Sequence, residues 1–222
     1  MLMELKKPAF FACALSGKNI IILTALSILA AFLNIFLNGF VMNFLKFPLF
    51  LDTVFTAAIS FAFGIIPGIF TAVLTWFLSC VYYNGFNFYI LCSITEVLII
   101  CALKPSTPDI LNFTSKEKIA ASYTALVSKL FLLYVLCAVI ISLIGGIVDY
   151  ITHLFVERNY YSADDLFKPG LFINNLPVLA VNIISRLPVN IVDRFIVILA
   201  GFLISRGLLK IIKTKKNSEG LW

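Results

Sequence analysis

Residues 49–83 read "LFLDTVFTAAISFAFGIIPGIFTAVLTWFLSCVYY", and how this stretch divides decides the fold. As one α-helix it would be about 52 Å long, against roughly 30 Å of hydrocarbon in a bilayer. "GIIPG" (64–68) lies at its middle, and Gly and Pro in this arrangement mark a turn. Two short helices, 49–65 and 67–83, joined by a tight turn, fit better than one.

The rest of the chain has the same character. Of 222 residues, 61% are hydrophobic and 13% charged, with a mean hydropathy of +1.04. A soluble domain has no use for so much apolar surface, so the class is an all-α polytopic membrane protein in one domain, 1–222. Further spans are expected at 19–41, 88–103, 130–150 and 190–209. The stretch 19–41 is too long for a signal peptide's apolar core and reads as a retained span. "LFINNLPVLAVNIIS" (171–185) carries three asparagines and Pro177. It reads as an outer interfacial or re-entrant helix, not a span.

Charge supports this division. With six spans and both termini cytoplasmic, twelve of the 17 Lys and Arg residues fall inside and five outside. One long helix over 49–83 changes the balance to seven inside and ten outside. Basic residues concentrate on the cytoplasmic side, so six spans are favoured. The cytoplasmic loop is then 104–129, where "TSKE" (114–117) is a capping box that starts a helix running into the fifth span. The outer segment is 151–189. The net charge of +6 reads as topogenic, and no nucleic-acid partner is expected.

Metal, cofactor and enzyme chemistry find no support. There is one histidine, no HExxH and no CxxC, and four of the five cysteines lie in apolar runs as small hydrophobes. Glu96 and Asp149 alone do not supply a nucleophile–base pair.

The ionisable groups of the spans are outer or central on this topology. Asp52 lies at the outer end of the second helix, Asp149 at that of the fifth, and Asp193 and Arg194 open the sixth. Glu96 lies midway down the fourth. Such residues are costly in a membrane and are functional candidates by default. Glu96 at that depth must be protonated, paired or beside a wet cavity, and Glu96→Gln is expected to reduce ligand affinity. Asp52 is either the rim of a binding cavity or a counter-ion that latches Arg194. Trp76, Tyr83, Asn87 and Asn190 complete an outward-facing set able to hold a small polar solute. On the inner side, Ser27 and Ala31, and Gly64 and Gly68, form small-xxx-small pairs that let a partner helix approach.

"FPLFLDTVFTAAISFAFGIIPGIFTAVLT" (47–75) and "LPVNIVDRFIVILAGFLI" (187–204) together resemble the substrate-binding S component of energy-coupling factor (ECF) transporters, in particular members of unassigned substrate. The resemblance covers roughly residues 20–210. It implies a six-helix protein of a prokaryotic plasma membrane that captures a vitamin-like or other small micronutrient from outside. It implies association with a transmembrane coupling protein and ABC-type ATPases, docking through small residues such as Ser27 and Ala31. It implies no chemistry on this chain. A stand-alone membrane sensor or scaffold is the alternative.

Overall fold

A computed structural model describes residues 17–83, 85–105, 116–155 and 163–218. Its regular elements are all helical. Helix α1 (Gly17–Gly39) runs into a π-helical turn, Phe40–Phe44, and an irregular stretch, 45–53. Then come α2 (Val54–Phe63), α3 (Ile65–Tyr82) and α4 (Ile90–Leu103). Two long helices follow, α5 (Lys116–Phe155) and α7 (Val178–Ser218). Between them lie a single 3-10 turn (Ala163–Leu166) and the short α6 (Lys168–Ile173).

Helix α1 shows which solvent this body is built for. Ser27, Ala31, Asn34 and Asn38 recur at helical spacing and are buried. On the opposite face Phe32, Phe36, Phe40 and Phe44 are exposed, the last three as a ladder of stacked rings. Polar groups face in and large apolar ones face out, the reverse of a water-facing helix. The long helices share the outward half of this pattern. Val127, Phe131 and Val135 on α5, and Phe195, Leu199 and Leu203 on α7, are exposed.

The core is built around α2. Val54, Ala57 and Phe61 pack with Ile100 of α4, with Leu133, Cys137 and Ile141 of α5, and with Val197, Ile198 and Phe202 of α7. Phe61 meets Phe202 edge-to-face, with centroids 5.7 Å apart. Helix α5 lies along α7, and the two approach closely at Gly146. A β-carbon there would come within 2.7 Å of Ile183 Cα and 2.8 Å of Ile183 N.

The stretch that opened the argument divides at Gly64. Its φ of 91° is a conformation that L side chains avoid, and it lets α2 end and α3 begin with no intervening loop. Among the described residues, four helical stretches are long and apolar enough to cross a membrane: Ile20–Phe44, Ile65–Tyr82, Ala120–Thr152 and Val178–Ile211. Helices α2 and α4 are not among them. At about 1.5 Å per residue they reach only about 15 and 21 Å. Helices α5 and α7 reach about 60 Å, more than a bilayer's hydrocarbon.

One expectation needs correction. The segment 171–185 is not a helix apart from the last one. The chain breaks at Asn174–Pro177, where Asn175 has φ 55°, and α7 then runs without interruption from Val178. Pro177 precedes a helix start instead of interrupting a helix, and its carbonyl accepts the Val181 N–H at 3.0 Å. Pro188 lies inside α7. Membrane helices accommodate this because neighbouring helices and polar side chains satisfy the freed backbone groups. Within 104–129, α5 is helical from Lys116, in line with the expected helix that starts near 114–117 and runs into the fifth span. Residues 114 and 115 of the expected capping box lie outside the described residues.

Candidate functional site

The polar groups buried in this apolar body gather where the stretches 45–53 and 85–89 enter α2 and α4. The irregular stretch 45–53 holds two strained residues, Lys46 with φ 57° and Leu51 with φ 40°. Leu51 is held there by a long-range bond: its N–H donates to Asp193 Oδ1 of α7 at 2.8 Å. Asn34 of α1 fixes the start of α2. Its Oδ1 accepts the Phe55 N–H at 2.9 Å, an otherwise unpaired donor of the first helical turn. Its Nδ2 donates to Thr56 Oγ1 at 2.9 Å and to Thr75 Oγ1 of α3 at 3.1 Å.

Arg194 of α7 is the centre of one cluster. Its NH1 donates to Glu96 Oε2 at 2.6 Å and to Thr53 Oγ1 at 2.8 Å, and its NH2 pairs with Asp193 Oδ2. Asp52 Oδ1 stands farther off, 3.9 Å from NH2. Arg194, Glu96 and Asp193 are buried, whereas the Asp52 side chain is 35% exposed. Arg194 Nε and Glu96 Oε1 are buried with no hydrogen-bond partner among the described residues.

Arg186, two turns earlier on α7, centres a second cluster. Its Nε donates to Asp149 Oδ2 of α5 at 2.8 Å, and its NH2 donates to the Tyr89 hydroxyl at 2.8 Å. The Tyr89 hydroxyl in turn donates to Asp149 Oδ1. The guanidinium lies over the rings of Tyr89 and Phe50, 4.8 and 5.5 Å from their centroids. Lys168 of α6 stands 3.6 Å from Asp149 Oδ2 and bonds Asp165 at 2.8 Å, which ties the α6 segment to the end of α5.

Between the clusters is a cavity of about 90 Å³. Arg186, Arg194, Asp52 and Asn190 line it, with Trp76, Asn87 and Tyr89 among the other walls. That space accommodates a few waters or a small solute. Asn87 shapes one wall: its carbonyl accepts the Trp76 indole N–H at 2.8 Å, and its Oδ1 accepts the Tyr89 N–H at 3.2 Å. Asn190 Nδ2 donates to Ser142 Oγ at 2.9 Å, which ties that wall to α5.

The structure therefore brings Asp52, Trp76, Asn87, Asn190 and Arg194 to one cavity and sets three expected residues apart from it. Glu96 and Asp193 are counter-ions of Arg194 and do not line the cavity. Glu96, expected to be protonated, paired or beside a wet cavity, is paired with Arg194. Tyr83 is exposed and packs edge-to-face on Tyr82 at 4.9 Å. The proposed Asp52–Arg194 latch is the longest of the Arg194 contacts. Arg186 is the residue that sequence reasoning missed as a site group. The signal was present, since Arg186 precedes Asn190 and Arg194 at four-residue spacing and so shares a helix face with them.

The small-residue pairs also need correction. Ser27 and Ala31 form part of the inward stripe of α1 and are covered by this chain. A β-carbon on Gly68 would meet Ser60 Oγ at 2.3 Å and Val97 Cγ1 at 2.8 Å, so α2 and α4 already fill its surroundings. Gly64 is the turn residue between α2 and α3. Among the described residues no group of three or more His, Cys, Asp or Glu side chains is placed to hold a metal.

These features define a class: an all-helical body with a lipid-compatible exterior and a small charged cavity toward one end. Comparison with protein families, curated proteins and solved structures finds no match to the chain.

Proposed function

We propose that the chain is the membrane-embedded substrate-capture subunit of an ATP-driven importer of the ECF type, serving a vitamin-like or other small micronutrient. The observation that carries this reading is the cavity between Arg186, Arg194 and Asp52, held inside a body whose surface is apolar. Buried charges are costly in a membrane, and a cavity that keeps them beside space for a solute suits capture. The reading takes the chain as six crossings of a prokaryotic plasma membrane. Helices α2 and α4 complete theirs through the non-helical stretches 45–53 and 85–89, of which Phe50, Asp52, Thr53, Asn87 and Tyr89 line the cavity. Both termini are cytoplasmic, and the cavity faces outward. The importer's coupling protein and ABC-type ATPases are the partners, and this chain performs no chemistry.

One observation favours a second reading, a stand-alone membrane sensor or scaffold. Ser27, Ala31 and Gly68, expected to receive a coupling protein, are covered by the chain's own helices. Purification of the tagged protein from its own cells in mild detergent, with mass spectrometry of bound proteins, separates the two. The importer reading expects an ABC-type ATPase and a second membrane protein. Their absence, with a known S component retaining its partners in parallel, favours the sensor.

A further inference from the structure

We infer that the cavity selects a small cationic solute, a protonated amine or quaternary ammonium that also carries a neutral hydrogen-bond acceptor, with Asp52 as its counter-ion. This rests on the capture reading above and adds the charge of what is captured.

Charge around Arg194 is locally unbalanced. Around Arg194 stand three carboxylates, Asp52, Glu96 and Asp193, against one guanidinium. Glu96 and Asp193 are fully buried and take the close contacts. Asp52 is the third carboxylate, the farthest from the guanidinium at 3.9 Å, the most exposed of the three, and the one that lines the cavity. The other cavity arginine does not correct the imbalance, because Arg186 is engaged at 2.8 Å by Asp149. An anionic solute would meet an excess of negative charge, whereas a cation beside Asp52 would relieve it.

The walls extend the inference. The rings of Phe50 and Tyr89 already carry the Arg186 guanidinium. Trp76 also lines the cavity, and among the described residues no cation stands over its ring. It offers a solute cation the favourable face of an indole. Arg194 lines the same cavity, and among the described residues its buried Nε–H has no acceptor. A neutral oxygen or ring nitrogen on the solute would satisfy that donor without adding negative charge.

The test uses three probes that share a hydroxyl and differ in charge: ethanolammonium chloride, 1-propanol and sodium glycolate. Each is titrated at constant ionic strength against the full-length protein in lipid nanodiscs, by calorimetry and by thermal midpoint. Ethanolammonium is expected to bind saturably and raise the midpoint, while the other two do neither. Asp52→Asn should weaken ethanolammonium binding about tenfold or more, the weight of one charge-assisted contact. Asp52→Glu should restore part of it, which separates loss of charge from loss of folding. Saturable binding of glycolate in place of ethanolammonium overturns the cationic class and leaves the capture reading standing. Binding of ethanolammonium that Asp52→Asn does not weaken overturns Asp52 as the counter-ion. Binding of none of the three overturns both the class and the use of this cavity for capture.

Discussion

Asp193 does two jobs with its two oxygens. Oδ2 pairs with Arg194 of the next position, and Oδ1 accepts the N–H of Leu51. Leu51 has φ 40°, a conformation that costs a bulky residue about 1–3 kcal/mol and persists only where the surroundings hold it. Leu51 stands between Phe50 and Asp52, both of which line the cavity, so one carboxylate sets both the charge and the shape of that wall. Asp193→Ala removes the acceptor and leaves a buried N–H unpaired, a loss of about 1–3 kcal/mol before the strained segment relaxes. Asp193→Asn keeps an oxygen for Leu51 but turns an amide donor toward the Arg194 donor. The thermal midpoint in detergent is expected to fall for both variants, with Ala below Asn. Equal midpoints for Asp193→Ala and wild type would show that the bond to Leu51 holds nothing in place.

At the scale of elements, the packing of α5 on α7 rests on two adjacent glycines that act differently. A β-carbon at Gly146 meets the Ile183 backbone, which cannot step aside without moving the helix. A β-carbon at Gly145 first meets the Arg186 side chain, at 2.8 Å from NH1 and 3.2 Å from Cδ. That side chain is fixed by Asp149 and Tyr89, so its displacement disturbs the cavity more than the fold. Gly207 of α7 has open space around its β-position. Gly146→Ala is expected to destabilise by about 1–3 kcal/mol, since overpacking outweighs the gain in helix propensity. Gly207→Ala should be neutral or stabilising by up to about 1 kcal/mol. Gly145→Ala should fold but weaken whatever the cavity binds. A similar small change at all three positions, read by thermal midpoints, would remove the close α5–α7 approach as a source of stability.

The same elements show what a sequence can reveal in this solvent. Gly64 was legible as a break because its requirement is local, a backbone conformation that glycine supplies. The all-helical class was legible because membranes leave few alternatives for a chain this apolar. Which face of α1 turns inward was not, because the lipid is as apolar as a core and hydrophobicity loses its directional meaning. Ser27 and Ala31 therefore read as a docking stripe when they belong to the buried face. Asp52, Trp76, Asn87, Asn190 and Arg194 were legible as a set because polar groups stand out in an apolar chain. Arg186 was counted as a topogenic charge because the expected break between 185 and 190 took it off the helix. Its bond to Asp149 spans 37 positions of sequence, and no local pattern announces such a pair.

For the whole molecule, the decisive question is which end faces out. Helices α2 and α3 form a hairpin at Gly64, and the stretches 45–53, 85–89 and 163–177 lie between helices at the other end, with the cavity. The end away from the cavity carries Lys104, Arg206 and Lys210, and the sequence adds Lys213, Lys215 and Lys216 beyond them. Basic residues stay cytoplasmic, so the cavity end is expected to face outward. Asn174, exposed beside α6, and Lys210, exposed near the end of α7, report the two sides. With the native cysteines replaced by alanine or serine, Asn174→Cys should react with a membrane-impermeant maleimide on intact cells. Lys210→Cys should react only after the membrane is opened. The reverse pattern would turn the cavity toward the cytoplasm, where a subunit that captures solutes from outside could not use it in this conformation. Labelling of both in intact cells would mean that the long helices do not cross the bilayer in the sense their charges require.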